Sequence, residues 1–267
     1  MYENIYKIMT TEKVVAFCGA GVSYESGIPT FRGKNGLWEK YDPYLYAHKD
    51  SFDNLFLSDP LRLRDFIVDI YRILLSAQPN YTHYVLAHLE NNKQLTGIIA
   101  QNIDNLHFEA GNRNIAEIHG NVYMFVCRKC GYKVKKEKKE IKDHIDNLRE
   151  ERKKEDVRKR LLQIGGVCSQ CGKHLESGIV FFGQELPLEE LEKSYQYIQN
   201  ASVMLCIGTS AEVYPAAAFP YYAKKRGLKI ININPSSTNL DEISDISIRE
   251  NSVTFFRKTF PDIKEIY

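Results

Sequence analysis

The stretch from Lys13 to Gly33, KVVAFCGAGVSYESGIPTFRG, constrains the fold more than any other part of the chain. Residues 14 to 18, Val-Val-Ala-Phe-Cys, are apolar without alternation and stop at Gly19-Ala20-Gly21. A short run with no polar face reads as a parallel strand buried on both sides and ending in a tight turn. Gly19 and Gly21 permit a close approach of backbone to ligand, and Ser23 suits the cap of a following helix. A strand, a glycine turn and a helix N-terminus together offer N–H groups to a phosphate. The fingerprint Gly-x-Gly-x-x-Gly nevertheless fails at its third glycine, where Tyr24 stands. On these residues alone, a strand-to-helix turn without a ligand is the plainer reading.

Three more runs suit buried strands: residues 95 to 99, 202 to 207 and 228 to 233. Residues 60 to 78, 79 to 93, 188 to 200 and 216 to 226 have helical spacing, with Ser58-Asp59-Pro60 as a start signal. Strands alternating with helices predict an α/β fold, a parallel sheet with helices on both faces. Polar groups follow the strand ends: Gln101-Asn102-Ile103-Asp104, then Gly208-Thr209-Ser210, then Asn234-Pro235-Ser236. That is where open α/β sheets bind ligands. No internal repeat or low-complexity linker interrupts the chain.

Four of the six cysteines form two Cys-x-x-Cys pairs, Cys127/Cys130 and Cys168/Cys171, each followed by glycine. Four thiolates predict a closed structural zinc site, against the alternatives of two disulfides or unpaired buried thiols. Cys18 and Cys206 lie in apolar runs and read as core. Between the pairs lie 37 residues, longer than the simple ribbon spacing of about 15 to 20. Residues 133 to 163 hold 13 Lys or Arg and 8 Asp or Glu, a local net of +5 in a chain of net +2. One or two solvated helices are expected there, with nucleic acid or an acidic partner as the lesser reading. The 43% hydrophobic and 26% charged content is ordinary for a globular protein. No apolar run reaches the ~18 residues of a membrane span, and MYENIYKIMTTEK is not a secretory leader. The expectation is a cytoplasmic protein with no membrane partner.

GAGVSYESGIPTFRG, QNIDNLH, EIHG, the paired cysteines, VFFGQELP, GTSAEVYPAA and ININPSS follow one another along the chain. In content and order this set resembles the sirtuins, the NAD-dependent protein deacylases. The resemblance implies a Rossmann-like NAD-binding domain of residues 1–34, 79–122 and 186–267, and a cofactor loop with a helical module at 35–78. It further implies a small zinc-binding domain at 123–185 carrying the charged insert 133–163. It places Ala20, Gly21, Thr209 and Ser210 at the NAD phosphates and Gly19, Ser23 and Gly208 among the cofactor-binding residues, with Arg32 on a phosphate and Phe31 over the nicotinamide end. Gln101, Asn102, Ile103 and Asp104 are then expected at the nicotinamide ribose and carboxamide, Asn234, Pro235 and Ser236 at the adenine ribose, and Ser252 near the adenine. Asn102, Asp104 and His119 become the catalytic candidates. Histidine is suited to the base role because it titrates near neutrality. Without the resemblance, His119 would read as a structural residue.

The implied reaction joins the acyl oxygen of a modified lysine to C1′ of the nicotinamide ribose as nicotinamide leaves. His119 then acts as base on a ribose hydroxyl, and water releases lysine and O-acyl-ADP-ribose. The acylated peptide is expected to add as a strand along Val180, Phe181, Phe182, Gly183 and Gln184 and along Glu212, Val213 and Tyr214. Gln184 stands where the family carries Glu, and Ser252 where it carries a small-residue motif. Succinyl-preferring members carry Tyr-x-x-Arg before Pro-Asn-x-x-His; here Ile67 and Ile70 occupy those positions ahead of Pro79, Asn80 and His83. A neutral acyl group, acetyl or longer, is therefore expected. The rivals are a mono-ADP-ribosyltransferase using the same pocket, an NAD-sensing binding module and a zinc-ribbon nucleic-acid protein. A monomer is expected.

Overall fold

The computed structural model describes residues 1–31 and 36–264, which form two compact units. The strands are β1 (Val14–Cys18), β2 (Leu95–Ala100), β3 (Ile115–Glu117), β4 (Met124–Val126), β5 (Lys133–Lys135), β6 (Glu176–Ser177), β7 (Val203–Ile207), β8 (Lys229–Ile233) and β9 (Ile246–Ile248). One unit comprises Met1–Thr30, Gln78–Ile118 and Leu186–Tyr267; the other comprises Phe31–Ala77 and His119–Glu185.

In the first unit six parallel strands run in the order β3-β2-β1-β7-β8-β9. β1 is central and all five of its residues are buried, which is why its sequence does not alternate. Its two faces feed different cores. Val14, Ala16 and Cys18 pack with the helix Tyr81–Asn91 and with Phe255 and Phe256, while Val15 and Phe17 pack with Ile198, Phe219 and Ala223. From β1 the chain moves to β2 and β3 on one side, and later to β7, β8 and β9 on the other. The switch point therefore lies between β1 and β7, the position at which open α/β sheets bind ligands.

The glycines at this point have a packing role besides the one their spacing suggests. A Cβ on Gly19 would lie 2.7 Å from Thr209 Cβ, and one on Gly21 2.7 Å from Gly208 Cα. Gly208 has φ +58°, and its own Cβ would meet Gly21 C at 2.5 Å. Three glycines thus let the turns after β1 and β7 press backbone to backbone. Gly19 N–H donates to Ile207 O, Gly21 N–H to Gly208 O, and Val22 N–H to Gly19 O. The first two of these bonds tie the turns together, and the third closes the first turn on itself. The segment after Gly19 is a 3-10 helix, Ala20–Ser26, and Ser23 lies inside it rather than capping it.

The second unit joins the helical module to the ribbon. β4 pairs antiparallel with both β5 and β6, and the helices Lys138–Glu150 and Lys154–Gln163 fill the long cysteine gap. These helices are not simply solvated. Ile141, Ile145, Leu148 and Val157 are fully buried, and both helices pack on Pro60–Ser76. The basic residues have structural partners too: Arg158 Nε and Nη2 donate to Phe56 O (3.2 Å) and Leu57 O (2.6 Å), and Lys154 Nζ to Ser58 O (3.3 Å). These carbonyls end the helix Lys49–Ser58, where the backbone dipole favours cations. Among the described residues, no helix is long and apolar enough to cross a membrane.

Candidate active site and metal centre

At the carboxyl ends of the parallel strands, polar side chains converge within the first unit. Gln101 Nε2, just past β2, donates to Thr209 Oγ1 at 2.9 Å, and Ala211 N–H donates to the same oxygen at 3.1 Å. Asn234, just past β8, donates to Thr209 O at 3.2 Å and accepts from Ser236 N–H at 3.1 Å. Residues distant in sequence are thereby locked above the glycine contact. Ser210, Pro235 and Ser236 are exposed at its edge.

A second network lies beside it. Ser23 Oγ donates to Asp104 Oδ2 at 2.6 Å and accepts from Asn102 Nδ2 at 3.0 Å; Asp104 Oδ1 accepts from Leu106 N–H at 2.9 Å. Burial pushes the Asp104 carboxyl above its usual range, and the Ser23, Leu106 and Asn102 donors partly offset this. Ile103 is half-buried between the two buried polar residues. Ser252 opens the helix Ser252–Thr259, is buried, and its hydroxyl accepts from Thr82 Oγ1 at 2.9 Å. Its side chain therefore has an internal partner, and any ligand contact there falls to the backbone.

Asn80 supports this region in a way that spacing did not reveal. Its Nδ2 donates to Val22 O (2.8 Å) and Ser26 Oγ (2.9 Å), bracing the 3-10 helix. The available signal was the capping box in Asn80-x-x-His83, where Asn80 Oδ1 accepts from Thr82 N–H and His83 Nδ1 from Asn80 N–H. His83 and His107 lie with ring centroids 4.7 Å apart. His83 Nε2 and both ring nitrogens of His107 have no hydrogen-bond partner among the described residues. Burial holds His107 down, to about 4, and lowers His83 well below 6.5, with the neighbouring His107 adding to the effect.

The folded pKa values lie below the unfolded value of 6.5, so the unfolded chain binds more protons between them. Their contribution is complete above pH 6.5 and is lost as pH falls toward about 4. At ~1.4 kcal/mol per pH unit, His107 alone is worth about 3 kcal/mol over that window. Urea midpoints measured across it should fall steeply with acid, and His107→Leu should flatten the slope by about one proton. An unchanged slope in that variant would refute the assignment.

In the second unit, His119 directly follows Ile118 at the unit boundary. Its carbonyl accepts from Val180 N–H at 2.9 Å. Gly120 has φ +76°, and a Cβ there would lie 2.0 Å from Gly178 O, so only glycine fits against that carbonyl. The backbone carrying His119 is thus fixed. Phe31 is 40% exposed, stacks on Trp38 at 5.5 Å and accepts the Trp38 N–H. Arg32 lies outside the described residues. In the segment expected to take up a strand, most N–H groups already have partners. Val180 donates to His119 O, Phe181 to Gln184 Oε1, Phe182 to Ala47 O, and Gln184 to Phe181 O, which among the described residues leaves Gly183. Glu212 and Tyr214 are exposed and Val213 O accepts from Ala217 N–H.

The metal expectation has a geometric test. The Sγ atoms of Cys127, Cys130, Cys168 and Cys171 all lie within 4.8 Å of one another, with Cys127–Cys171 at 3.4 Å and Cys130–Cys168 at 3.5 Å. Tetrahedral zinc with Zn–S of about 2.3 Å needs S···S of about 3.8 Å. All four are free thiols. Each pair sits in a matching turn: Gly131 N–H donates to Cys127 O and Gly172 N–H to Cys168 O, with both glycines at positive φ. The N–H of Cys130, helped by the Cys171 thiol and Lys129 N–H, lowers the Cys127 thiol, while the neighbouring Cys127, Cys168 and Cys171 thiols raise that of Cys130, so the sulfurs share their protons as one close cluster. The cluster fits a structural zinc site.

Residues 19–215 match the model of the Sir2 family. An NAD-dependent protein deacylase of Thermococcus kodakarensis is 39% identical over 253 residues, covering 94% of this chain and 91% of that protein. Its namesake from Thermococcus sibiricus is 41% identical over 250 residues, covering 93% and 91%. Among solved structures, a mutant Sir2 homologue in complex with ADP-ribose superposes with TM-score 0.80 at 34% identity, covering 98% of this chain and 96% of that one. A Sir2 structure with a p53 peptide and NAD+ gives TM-score 0.76 at 29% identity, covering 98% of each chain. The glycine-packed switch point, the polar network above it and the four-cysteine centre thus occur in a chain that belongs to the Sir2 family.

Proposed function

We propose that the protein removes acyl groups from protein lysine at the expense of NAD, yielding nicotinamide, free lysine and O-acyl-ADP-ribose. The observation that carries this reading is the Gln101–Thr209–Asn234 network, standing beside Ser23–Asp104–Asn102 at the switch point. The relatives named NAD-dependent protein deacylase support it, as does the solved neighbour holding NAD+ and a peptide. NAD supplies the ribose carbon to which the acyl group is transferred as nicotinamide departs.

Within the first unit, Ala20, Gly21, Gly208, Thr209 and Ser210 are assigned to the phosphates, and Asn234, Pro235, Ser236 and the Ser252 backbone to the adenosine half. Gln101, Asn102, Ile103 and Asp104 orient the nicotinamide half, with Asp104 held in place by Ser23. Arg32 is assigned to a phosphate. Phe31 keeps water from the reacting carbon, which limits plain hydrolysis. His119 accepts a proton from a ribose hydroxyl, so that the oxygen attacks the acyl carbon. Val180 to Gln184 and Glu212 to Tyr214 contact the peptide main chain; with four N–H groups of the first segment already engaged, it contributes chiefly its carbonyls and Gly183. The first unit serves as the NAD-binding domain, residues 35–78 as cofactor loop and helical module, and residues 123–185 as zinc domain. Six free cysteines suit a reducing cytoplasm, and we propose a monomer that does not bind nucleic acid.

The acyl preference follows from the helix Pro60–Ser76, where Ile67 and Ile70 are half-buried apolar residues. A succinyl carboxylate meets no bidentate arginine there. Mass spectrometry of acetyl-, myristoyl- and succinyl-lysine peptides, with and without NAD, tests both points. NAD-dependent loss of the neutral groups with nicotinamide release is expected, and succinyl removal at least about tenfold slower. Faster succinyl removal would refute the preference. ADP-ribose found on protein without deacylation would replace the proposed reaction with ADP-ribosyl transfer.

A further inference from the structure

β8 and β9 run in register to their last residues, Ile233 opposite Ile248, and leave the sheet side by side. Asn234 N–H donates to Ile248 O at 3.0 Å, so Arg249 stands next to the loop Asn234-Pro235-Ser236. Arg249 Nη1 reaches Ser236 O at 3.5 Å, and its Nη2 pairs with Asp241 Oδ2 at 2.6 Å. We infer that this Asp241–Arg249 pair makes the protein selective for NAD over NADP; the inference rests on the assignment of that loop to the adenine ribose. NADP differs from NAD only by a phosphate on the 2′-hydroxyl of that ribose.

Asp241 is the fixed member of the pair. Its Oδ1 accepts from Asn232 Nδ2 at 2.9 Å and from Ser247 Oγ at 3.2 Å, and its Oδ2 from Thr238 N–H at 2.9 Å. Asn232 is fully buried on β8, Ser247 lies on β9, and Thr238 shares a capping box with Asp241 at the 3-10 helix Asn239–Glu242. Two strands and the loop between them thus hold the carboxylate where it meets Arg249. The guanidinium holds the Asp241 carboxyl down, to about 2, with Thr238 N–H and Asn232 also lowering it against burial. The pair therefore stays charged throughout the neutral range.

Dinucleotide folds take up a 2′-phosphate with an arginine beside the adenine ribose, and mark NAD with an acidic residue there. Here the two are joined. Asp241 engages the guanidinium, and its own charge repels a phosphate of about −1.5 to −2 carried on the neighbouring ribose. Both effects penalise the wrong nucleotide instead of adding a contact to the right one. With Arg249 released, it and the exposed Ser236 and Ser237 are the donors a phosphate needs.

Calorimetric titration with ADP-ribose and with ADP-ribose 2′-phosphate tests this without any acyl transfer. KM for NAD and NADP on one acetyl-lysine peptide repeats it in turnover. The wild type should bind the 2′-phosphate at least about tenfold more weakly. In Asp241→Asn, Oδ1 keeps Asn232 and Ser247 while Nδ2 turns a donor toward Arg249, which frees the guanidinium. The ratio should then move about tenfold toward the 2′-phosphate, less so in high salt, with Kd for ADP-ribose changed no more than about threefold. That variant also loosens the capping box, so Asp241→Asn/Arg249→Gln separates the two effects. Loss of the gain in the double variant assigns it to Arg249; its persistence assigns it to a loosened loop and overturns the inference. Equal binding of both nucleotides by the wild type, or an unchanged ratio in Asp241→Asn, overturns it too. If the nucleotides bind but no peptide is turned over, the deacylase reading fails while the binding ratios still decide the selectivity. If neither binds, the NAD assignment and the selectivity fall together.

Discussion

His119→Ala is expected to slow acyl removal by about 10²- to 10⁴-fold, the range over which a positioned acid or base acts. His119 is half-buried, and two backbone contacts hold this stretch whatever the side chain: His119 O to Val180 N–H and Gly120 against Gly178. The variant should therefore keep its fold and melting temperature within a degree or two, since deleting a half-buried polar ring removes little packing. In the proposed order, nicotinamide departs before the proton transfer. A single-turnover measurement should accordingly show nicotinamide release surviving far better than acyl transfer. Comparable loss of both would mean that His119 shapes the pocket instead of moving a proton. Loss of only a few-fold overall would remove it from the mechanism altogether.

The scaffold was legible wherever the determinants are local. The unbroken apolar runs of β1, β7 and β8 mark strands buried on both faces, and each strand lies within a residue or two of its expected span. Asp59 before Pro60 and Asn80 before Tyr81 cap their helices through contacts two or three residues long. The paired cysteines converge as their spacing predicts. What was not legible depends on partners far away in sequence. Gly19 and Gly21 look like glycines placed for a ligand alone until Gly208, 189 residues after Gly19, is found packed against them. Ser23 looks like a cap until Asp104 and Asn102 reach it. The excess charge of residues 133–163 looks solvated until Arg158 and Lys154 are seen on the carbonyls of Phe56, Leu57 and Ser58. In each case the residue type announced its capacity, and only the fold supplied the partner.

Removing the metal should cost more than any single side chain of the second unit. β4, β5 and β6 contain only three, three and two residues, too little sheet to hold itself together. Structural zinc supplies apparent folding free energies of about 10–16 kcal/mol in isolated fingers, and without it four thiols within 4.8 Å have nothing to draw them together. The consequence reaches His119 through the backbone. β6 pairs with β4, Gly178 N–H then bonds Met124 O, Gly178 O seats Gly120, and Val180 N–H holds His119 O. Loss of the ribbon should therefore release the base while the six-stranded sheet, with its separate core, stays folded. Hydrogen exchange after chelation, or in Cys168→Ser, should show deprotection of β4 to β6 and of residues 178–180 with β1, β2 and β7 still protected, and kcat should fall in step with zinc content. The helices Lys138–Glu150 and Lys154–Gln163 should lose protection last within their unit, because Ile141, Ile145, Leu148 and Val157 pack on Pro60–Ser76 without help from the cysteines. Metal-free protein that retains both a protected ribbon and full activity would show that the four cysteines do not hold the base in place.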